Sequence, residues 1–375
     1  MTTSPTQAFT GRALIAAGGT GGHVYPALAV ADVLVDRGWS VDWVGTERGI
    51  EQRLVPGAGL TLHCLSVSGL RGKTLVPRIT GFLLLIVSVW QSLRLIRRLR
   101  PDVMLGMGGY AAGPAGLAAW ISRRPLVIHE QNAVAGTTNR WLAPLASRVL
   151  CGLPGGFRAQ RDAQVVGNPV RPQLRPVDRS ALDHLAAFND SRPMRVLMLG
   201  GSLGAAPLNA LLPPTCDLLC ELGFAESITI WQQCGERNRA EADHCWQRSR
   251  FCSQRVENYI HDMEEAYQWA DVVVARAGAL TISELAATAS PSVLIPLPHA
   301  IDDHQTANAK ALSEVNAAVL MPQNEATPER LAHYLASWIK NPSALAQMGR
   351  AAAVAAVEAA QRVADVMQGV AHADV

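Results

Sequence analysis

Short β-branched or aliphatic runs alternate with helical patterns almost from end to end of the chain. The runs predict strands at Ala13–Ala17, Val41–Gly45, Thr61–Leu65, Val103–Leu105, Leu126–His129 and Val149–Cys151. A second set falls at Val196–Leu199, Ile228–Gln232, Val256–Tyr259, Val272–Ala275, Val293–Pro296 and Ala318–Met321. Several intervening helices have readable ends. Gly38 stands just past one C-terminus, Asp262 is placed to cap Met263–Trp269, and Thr327-Pro328 sets a cap before a first-turn proline. Ala351–Val370 reads as one Ala-rich helix. Strand–helix alternation, given twice over, predicts an α/β protein with two parallel sheets. The Pro- and charge-rich stretch Gly167–Ser191 is the expected linker.

Composition agrees with two domains. A chain of 375 residues exceeds one ordinary core, and 49% hydrophobic with 17% charged residues excludes a disordered chain. The formal net charge of +2 carries no overall footprint for nucleic acid. The apolar run Phe82–Val87 within Ile79–Trp90 is well short of the roughly 18 residues of a spanning helix. The polar segment Met1–Thr10 does not read as a secretory signal, so a cytoplasmic chain is expected. Seven cysteines, none in Cys-x-x-Cys spacing, fit reduced thiols better than disulfides or zinc.

Each half opens with a strand that enters a glycine cluster and then a helix: Gly18-Gly19-Thr20-Gly21-Gly22-His23 and Gly200-Gly201-Ser202-Leu203-Gly204. Glycine lets backbone approach a ligand, and a helix N-terminus offers free N–H groups and positive dipole, so both loops suit phosphate. The dinucleotide fingerprint fails, because Val24 occupies its third glycine position, and neither loop has the P-loop lysine. One such cluster is equally a tight strand–helix turn; two in equivalent places favour phosphate. A third, Gly106-Met107-Gly108-Gly109-Tyr110-Ala111-Ala112-Gly113-Pro114, also follows a strand. All three fall at strand carboxyl ends, where open α/β sheets collect ligands.

Polar residues gather at the same level. His129-Glu130-Gln131-Asn132 offers an acid/base pair and an amide, or merely a polar strand end. Arg276–Glu284 opens a helix whose first-turn amides suit a diphosphate and whose Glu284 suits sugar hydroxyls, a capping acid being the plainer alternative. The loop from His299 through Asp302, Asp303 and His304 to Asn308 fits a solvated surface better than a metal site.

These segments, with Tyr25–Ala29, Gly167-Asn168-Pro169-Val170-Arg171 and His304–Asn308, together resemble the MurG family in order from about Arg12 to about Arg350. That family acts at the cytoplasmic face of the bacterial cell membrane, transferring GlcNAc from UDP-GlcNAc to lipid I to form lipid II in peptidoglycan synthesis. The resemblance implies a GT-B architecture of two Rossmann-like domains facing a cleft. Residues 1–168 would form the acceptor- and membrane-facing domain, joined by a returning C-terminal helix at 350–375, and 169–349 would bind the UDP-sugar. It further implies that Thr20, Gly21 and Gly22 lie near the donor phosphates and that Asn132 reaches the sugar. Arg171 and Ser202 would face the nucleotide and the Ile260 backbone would recognise uracil. Ala279, Leu280, Thr281, Ile282, Ser283 and Glu284 would hold diphosphate and ribose, and Gln305 the sugar hydroxyls. Gly108, Gly109 and Tyr110 would lie toward the acceptor. Departures are small: Leu203 and Ala206-Pro207 follow the second glycine loop where relatives often carry polar residues, and an extension precedes Arg12.

The implied reaction is an inverting displacement at the anomeric carbon by a sugar C4 hydroxyl. It needs a base, alignment of the reactants and stabilisation of departing UDP. Helix N-termini after Gly201 and Gly278 can carry that charge, so no metal or bound cofactor is expected, divalent-ion dependence remaining open. His23 is the first candidate base; alternatively it positions the acceptor and Glu130 or His129 takes the proton. Arg71–Arg100 carries seven basic residues and no acid around the apolar Ile79–Trp90. That is a pattern for an anionic membrane surface, with Arg78, Phe82, Trp90 and Arg94 at it. The expected protein is therefore a peripheral one whose partners are UDP-GlcNAc, lipid I, an anionic membrane surface and other cell-wall synthesis proteins, without nucleic acid. The alternatives are another GT-B glycolipid glycosyltransferase, a UDP-sugar epimerase, or a non-catalytic nucleotide-sugar-binding membrane subunit.

Overall fold

The computed structural model describes residues 11–67, 75–157, 162–174, 192–201, 204–298, 303–354 and 358–373, of which 75–82 and 373 by backbone only. The chain divides into two compact units, Met1–Pro172 with Glu358–Val375, and Gln173–Val357.

In unit 1, the strands are β1 Arg12–Ala16, β2 Ser40–Thr46, β3 Thr61–Leu65, β4 Val103–Gly106, β5 Leu126–Glu130, β6 Arg148–Cys151 and β7 Ala163–Val165. They form a parallel sheet in the order β3-β2-β1-β4-β5-β6-β7. Its helices are α1 Gly21–Asp36, α2 Glu51–Gly57, α3 Leu75–Leu99, α4 Ala112–Ile121 and α5 Thr137–Leu142. The central strands β4 and β5 are buried at every position, as a sheet covered on both faces requires. One core layer joins β1, β2 and α1 to the last helix of the chain, which is residues Ala359–Ala373 and is called α13 below. Val363, Ala364 and Met367 are fully buried there, and Arg37 donates to Asp365 and Gln368, both at 2.7 Å.

Unit 2 contains β8 Met194–Leu199, β9 Ile228–Gln233, β10 Gln254–Glu257, β11 Val272–Ala275, β12 Ser292–Leu294 and β13 Ala318–Leu320. Their parallel order is β10-β9-β8-β11-β12-β13. The helices are α6 Ala206–Glu221, α7 Arg239–Gln247, α8 Met263–Trp269, α9 Ala279–Ala287, α10 His304–Ser313, α11 Pro328–Lys340 and α12 Pro342–Val354. Asp262 caps α8 by accepting from Glu265 N at 2.9 Å, and Thr327 caps α11 by accepting from Arg330 N at 3.3 Å.

Three expectations change. Strand β7 is absent from the predicted set, because three edge residues with exposed Gln164 and Val165 carry too little apolar signal. The third strand of unit 2 runs Gln254–Glu257, two residues earlier than Val256–Tyr259. The Ala-rich segment is two helices, α12 ending at Val354 and α13 beginning at Ala359, in different units, and position 349/350 falls inside α12.

Candidate active site

In an open parallel sheet, loops leaving adjacent strands in opposite directions part at a switch point and leave a crevice. In unit 1 this point lies between β1 and β4, and in unit 2 between β8 and β11. The glycine clusters follow these four strands, together with the Arg276–Gly278 turn into α9.

In unit 1 the two clusters touch. Gly109 has φ +83°, and a β-carbon there would collide with the Gly18 carbonyl oxygen, so no other residue fits without moving one loop. Thr20 stands at the N-cap of α1, and its carbonyl accepts from His23 N at 3.1 Å. The first-turn N–H groups of Gly21 and Gly22 lie at this helix end. His23 is half-buried. Its Nδ1 lies 3.3 Å from the Gly18 carbonyl and 3.4 Å from Thr20 Oγ1. A carbonyl only accepts, so the neutral ring carries its proton on Nδ1 and presents a lone pair at Nε2, beside Gly108. Burial lowers the His23 pKa, opposed by the charge of Glu130, the Gly18 carbonyl and the charge of Glu51.

His129 and Glu130 are differently disposed. His129 is fully buried; its Nε2 lies 2.9 Å from the Gly167 carbonyl and its Nδ1 3.3 Å from Gln131 Nε2, so both ring nitrogens are engaged. Burial lowers its pKa too. Glu130 accepts from Asn132 N at 3.0 Å and Asn132 Nδ2 at 3.1 Å through Oε1. Through Oε2 it accepts from Gly136 N and Asn139 Nδ2, each at 2.9 Å. Glu130 is thus the tie that folds the β5–α5 loop, and Asn132 is part of that tie. In this arrangement the polar atoms of His129 and Glu130 are occupied by the bonds that hold the loop. Arg171 stacks on Tyr25, 4.3 Å from the ring centroid. Tyr110 is exposed at the β4–α4 loop.

In unit 2 the expected residues are held by neighbours that motif reading missed. Ser202 lies outside the described residues. Gln233 donates to the Gly201 carbonyl and accepts from Ile260 N, both at 2.9 Å. The Ile260 N–H is therefore engaged within the protein. Glu284 is buried and accepts from Tyr267 Oη at 3.0 Å. Gln305 accepts from Leu297 N at 2.9 Å, and Asn308 donates to the Ala277 carbonyl at 3.1 Å, which fixes α10 beside the α9 entrance. Helix α9 begins at Ala279 after the Gly278 N-cap; Leu280, Thr281 and Ser283 are half-exposed, Ala279 and Ile282 buried. Gln233 and Tyr267 carry no motif of their own. Their roles depend on neighbouring strands and helices that only the fold brings together.

Helix α3 presents the membrane candidates. Leu83, Ile86, Val87 and Trp90 recur at helical spacing and are exposed, whereas Ser88 and Ser92 on the other side are buried. Ser88 donates to the Leu84 and Ser66 carbonyls and Ser92 to the Ser88 carbonyl, so the small polar residues face inward and the large apolar ones outward. Arg94 lies 5.8 Å from the Trp90 ring centroid. The side chains of Arg78 and Phe82 are outside the described set. Among the described residues no helix is long and apolar enough to cross a membrane.

Comparison with known proteins decides the relationship. The model of the glycosyltransferase family 28 N-terminal domain matches residues 13–151, and that of the family 28 C-terminal domain matches 195–367. The chain belongs to glycosyltransferase family 28, in its MurG branch. It is 44% identical over 358 residues to the UDP-N-acetylglucosamine--N-acetylmuramyl-(pentapeptide) pyrophosphoryl-undecaprenol N-acetylglucosamine transferase of Shewanella denitrificans, covering 95% of this chain and 96% of that one. The crystal structure of Acinetobacter baumannii MurG matches with TM-score 0.79 and 35% identity over 96% of this chain and 99% of that one. A UDP-N-acetylglucosamine 2-epimerase ascribed to Listeria monocytogenes shares the fold alone, at TM-score 0.64 and 12% identity over 94% of each chain. The two sheets of this family 28 chain are thus the two halves of a GT-B glycosyltransferase.

Proposed function

We propose that the chain transfers GlcNAc from UDP-GlcNAc to the C4 hydroxyl of MurNAc in undecaprenyl-pyrophosphoryl-MurNAc-pentapeptide, with inversion. What carries the reading is near-full-length similarity to a transferase named for these substrates, joined to one residue, His23, whose Nε2 is left basic. The acceptor oxygen attacks the anomeric carbon while the bond to UDP breaks, and UDP leaves with the electron pair. His23 Nε2 takes the hydroxyl proton. Unit 1 holds the acceptor and unit 2 the donor, whose diphosphate lies at the N-termini of α6 and α9, where backbone N–H groups stabilise the departing charge.

The α3 stripe supports work at an anionic bilayer surface: an apolar face meets acyl chains while Arg94, Arg97 and Arg98 meet headgroups. Incubation with UDP-[labelled GlcNAc] and a short-chain lipid I analogue is expected to place label in the lipid product; label released only as free sugar refutes the transferase. Trp90→Ser with Arg94→Glu is expected to lower binding to anionic vesicles about tenfold or more and to leave turnover of a water-soluble acceptor in place. Unchanged vesicle binding refutes the membrane assignment.

A further inference from the structure

The reaction as described leaves one fully buried acid without a role. Glu51, in the first turn of α2, is 0% exposed. Its Oε1 accepts from Thr46 N at 3.0 Å and Thr46 Oγ1 at 2.7 Å, and its Oε2 accepts from Gly19 N at 3.0 Å. All of these partners donate, which suits a carboxylate. The site is shaped around it: a β-carbon at Gly18, Gly45 or Gly49 would collide with the Glu51 side chain.

The Gly19 N–H and the Gly18 carbonyl belong to one peptide group. The described chain has no cis peptide bond, so these two groups point to opposite edges of that plane. Glu51 Oε2 meets the N–H edge, and His23 Nδ1 meets the carbonyl edge at 3.3 Å. Resting on the glycosyltransferase reading, we infer that Glu51 is a positioning residue for His23, acting through the Gly18–Gly19 peptide. A carboxylate on the N–H fixes the plane and polarises the carbonyl, because hydrogen bonds in series strengthen one another. The carbonyl then holds Nδ1–H, which selects the tautomer with its lone pair at Nε2. This is the task an acid performs in direct contact with the histidine of a serine hydrolase, carried out here across one amide. The charges that face His23 are Glu51 from α2 and Glu130 from β5, and both favour its protonated form, so they support the imidazolium that forms during transfer.

The test is Glu51→Gln. An amide must turn its NH2 toward either Gly19 N–H or the Thr46 N–H, so one bond is lost in either orientation. The expected result is a kcat about 10–100-fold lower, the range for losing a group that orients another, with the KM for UDP-GlcNAc kept. The acid limb of kcat/KM moves to lower pH, since removing an anion weakens imidazolium. Glu51→Asp retains the charge and is expected to lower kcat while leaving the acid limb nearer its place. A purely structural acid would reduce the amount of folded protein and leave kcat per folded molecule and the pH midpoint at wild-type values; that result overturns the inference. Should both variants be recovered unfolded, the wild type decides. 15N imidazole shifts, assigned by the signal lost in His23→Asn, are expected to show Nδ1 protonated, and a ring protonated on Nε2 overturns the relay. Absence of transfer by the wild type would instead refute the glycosyltransferase reading, and the 15N experiment would still report on the relay.

Discussion

The loops after β1 and β8 are the same device placed twice, a glycine turn leading into a 16-residue helix beside a switch point. They differ in what surrounds them. The first is braced by ionisable groups: Glu51 on the Gly19 N–H, and His23 on the Gly18 carbonyl. The second is braced by neutral amides: Gln233 on the Gly201 carbonyl, and Asn209 and Asn238 on the Cys234 carbonyl against which Gly204 packs. Gln232 and Trp246 extend that amide chain, Gln232 donating to Asn209 at 2.9 Å and accepting from Trp246 at 2.7 Å. A buried carboxylate next to a loop repels an anion and engages a backbone N–H that a phosphate would otherwise use. An amide braces the backbone without a net charge. One backbone solution is thereby suited to handling a proton in unit 1 and to accepting a diphosphate in unit 2.

The contrast breaks most readily at His23. His23→Ala is expected to lower kcat by about 10²–10⁴, the range for a missing acid/base group, with donor affinity kept. Steady-state kinetics with a soluble acceptor checks this, and near-normal kcat removes unit 1 from proton transfer. Because burial lowers the His23 pKa below 6.5, the ring stays neutral to lower pH than free imidazole, and kcat/KM is expected to fall only as pH drops past that lowered value. Glu130→Ala strands four donors, and a loss on the order of 3 kcal/mol in urea unfolding is expected. Its kcat per folded molecule should change by less than about tenfold. A collapse of kcat at full stability would make Glu130, not His23, the base. Gln233→Ala removes two hydrogen bonds from the second loop, and the KM for UDP-GlcNAc is expected to rise about 5–30-fold with kcat nearly kept. An effect on kcat alone would erase the division of labour. The smallest effect is on stability against pH. Burial depresses the folded-state pKa of His129, so the unfolded chain binds the proton first. Stability should therefore decline as pH falls from about 6.5 to the folded value and flatten below it, as denaturant titration at several pH values will read.

Most of the described strands were legible because parallel strands are apolar runs between glycine or capping signals, the polar β10 being placed two residues late, and Asp262 and Thr327 announced helix starts that their hydrogen bonds now account for. The glycine clusters were legible for the same reason, since backbone contact at Gly109 admits no side chain. What was hidden is long-range. Glu51 reads as an ordinary first-turn acid, and its partner Gly19 lies 32 residues away. Gln233 ends an ordinary strand, and Ile260 lies 27 residues on. His129 and Glu130 suit both chemistry and architecture, and the sequence does not show the partners at Gly167, Gly136 and Asn139 that hold them.

The return of α13 to the first sheet bears on how the protein is made. Val363, Ala364 and Met367 fill the layer against α1 and β1, so the first unit begun on the ribosome is the last to be completed. The 185 residues of unit 2 emerge in between, roughly ten to forty seconds of synthesis at about 5–20 residues per second. Throughout that interval the nascent first sheet lacks one wall of its core. A gene cut between the two sheets would therefore yield a first half with that wall missing, whereas supplying 358–373 as a separate peptide should restore it.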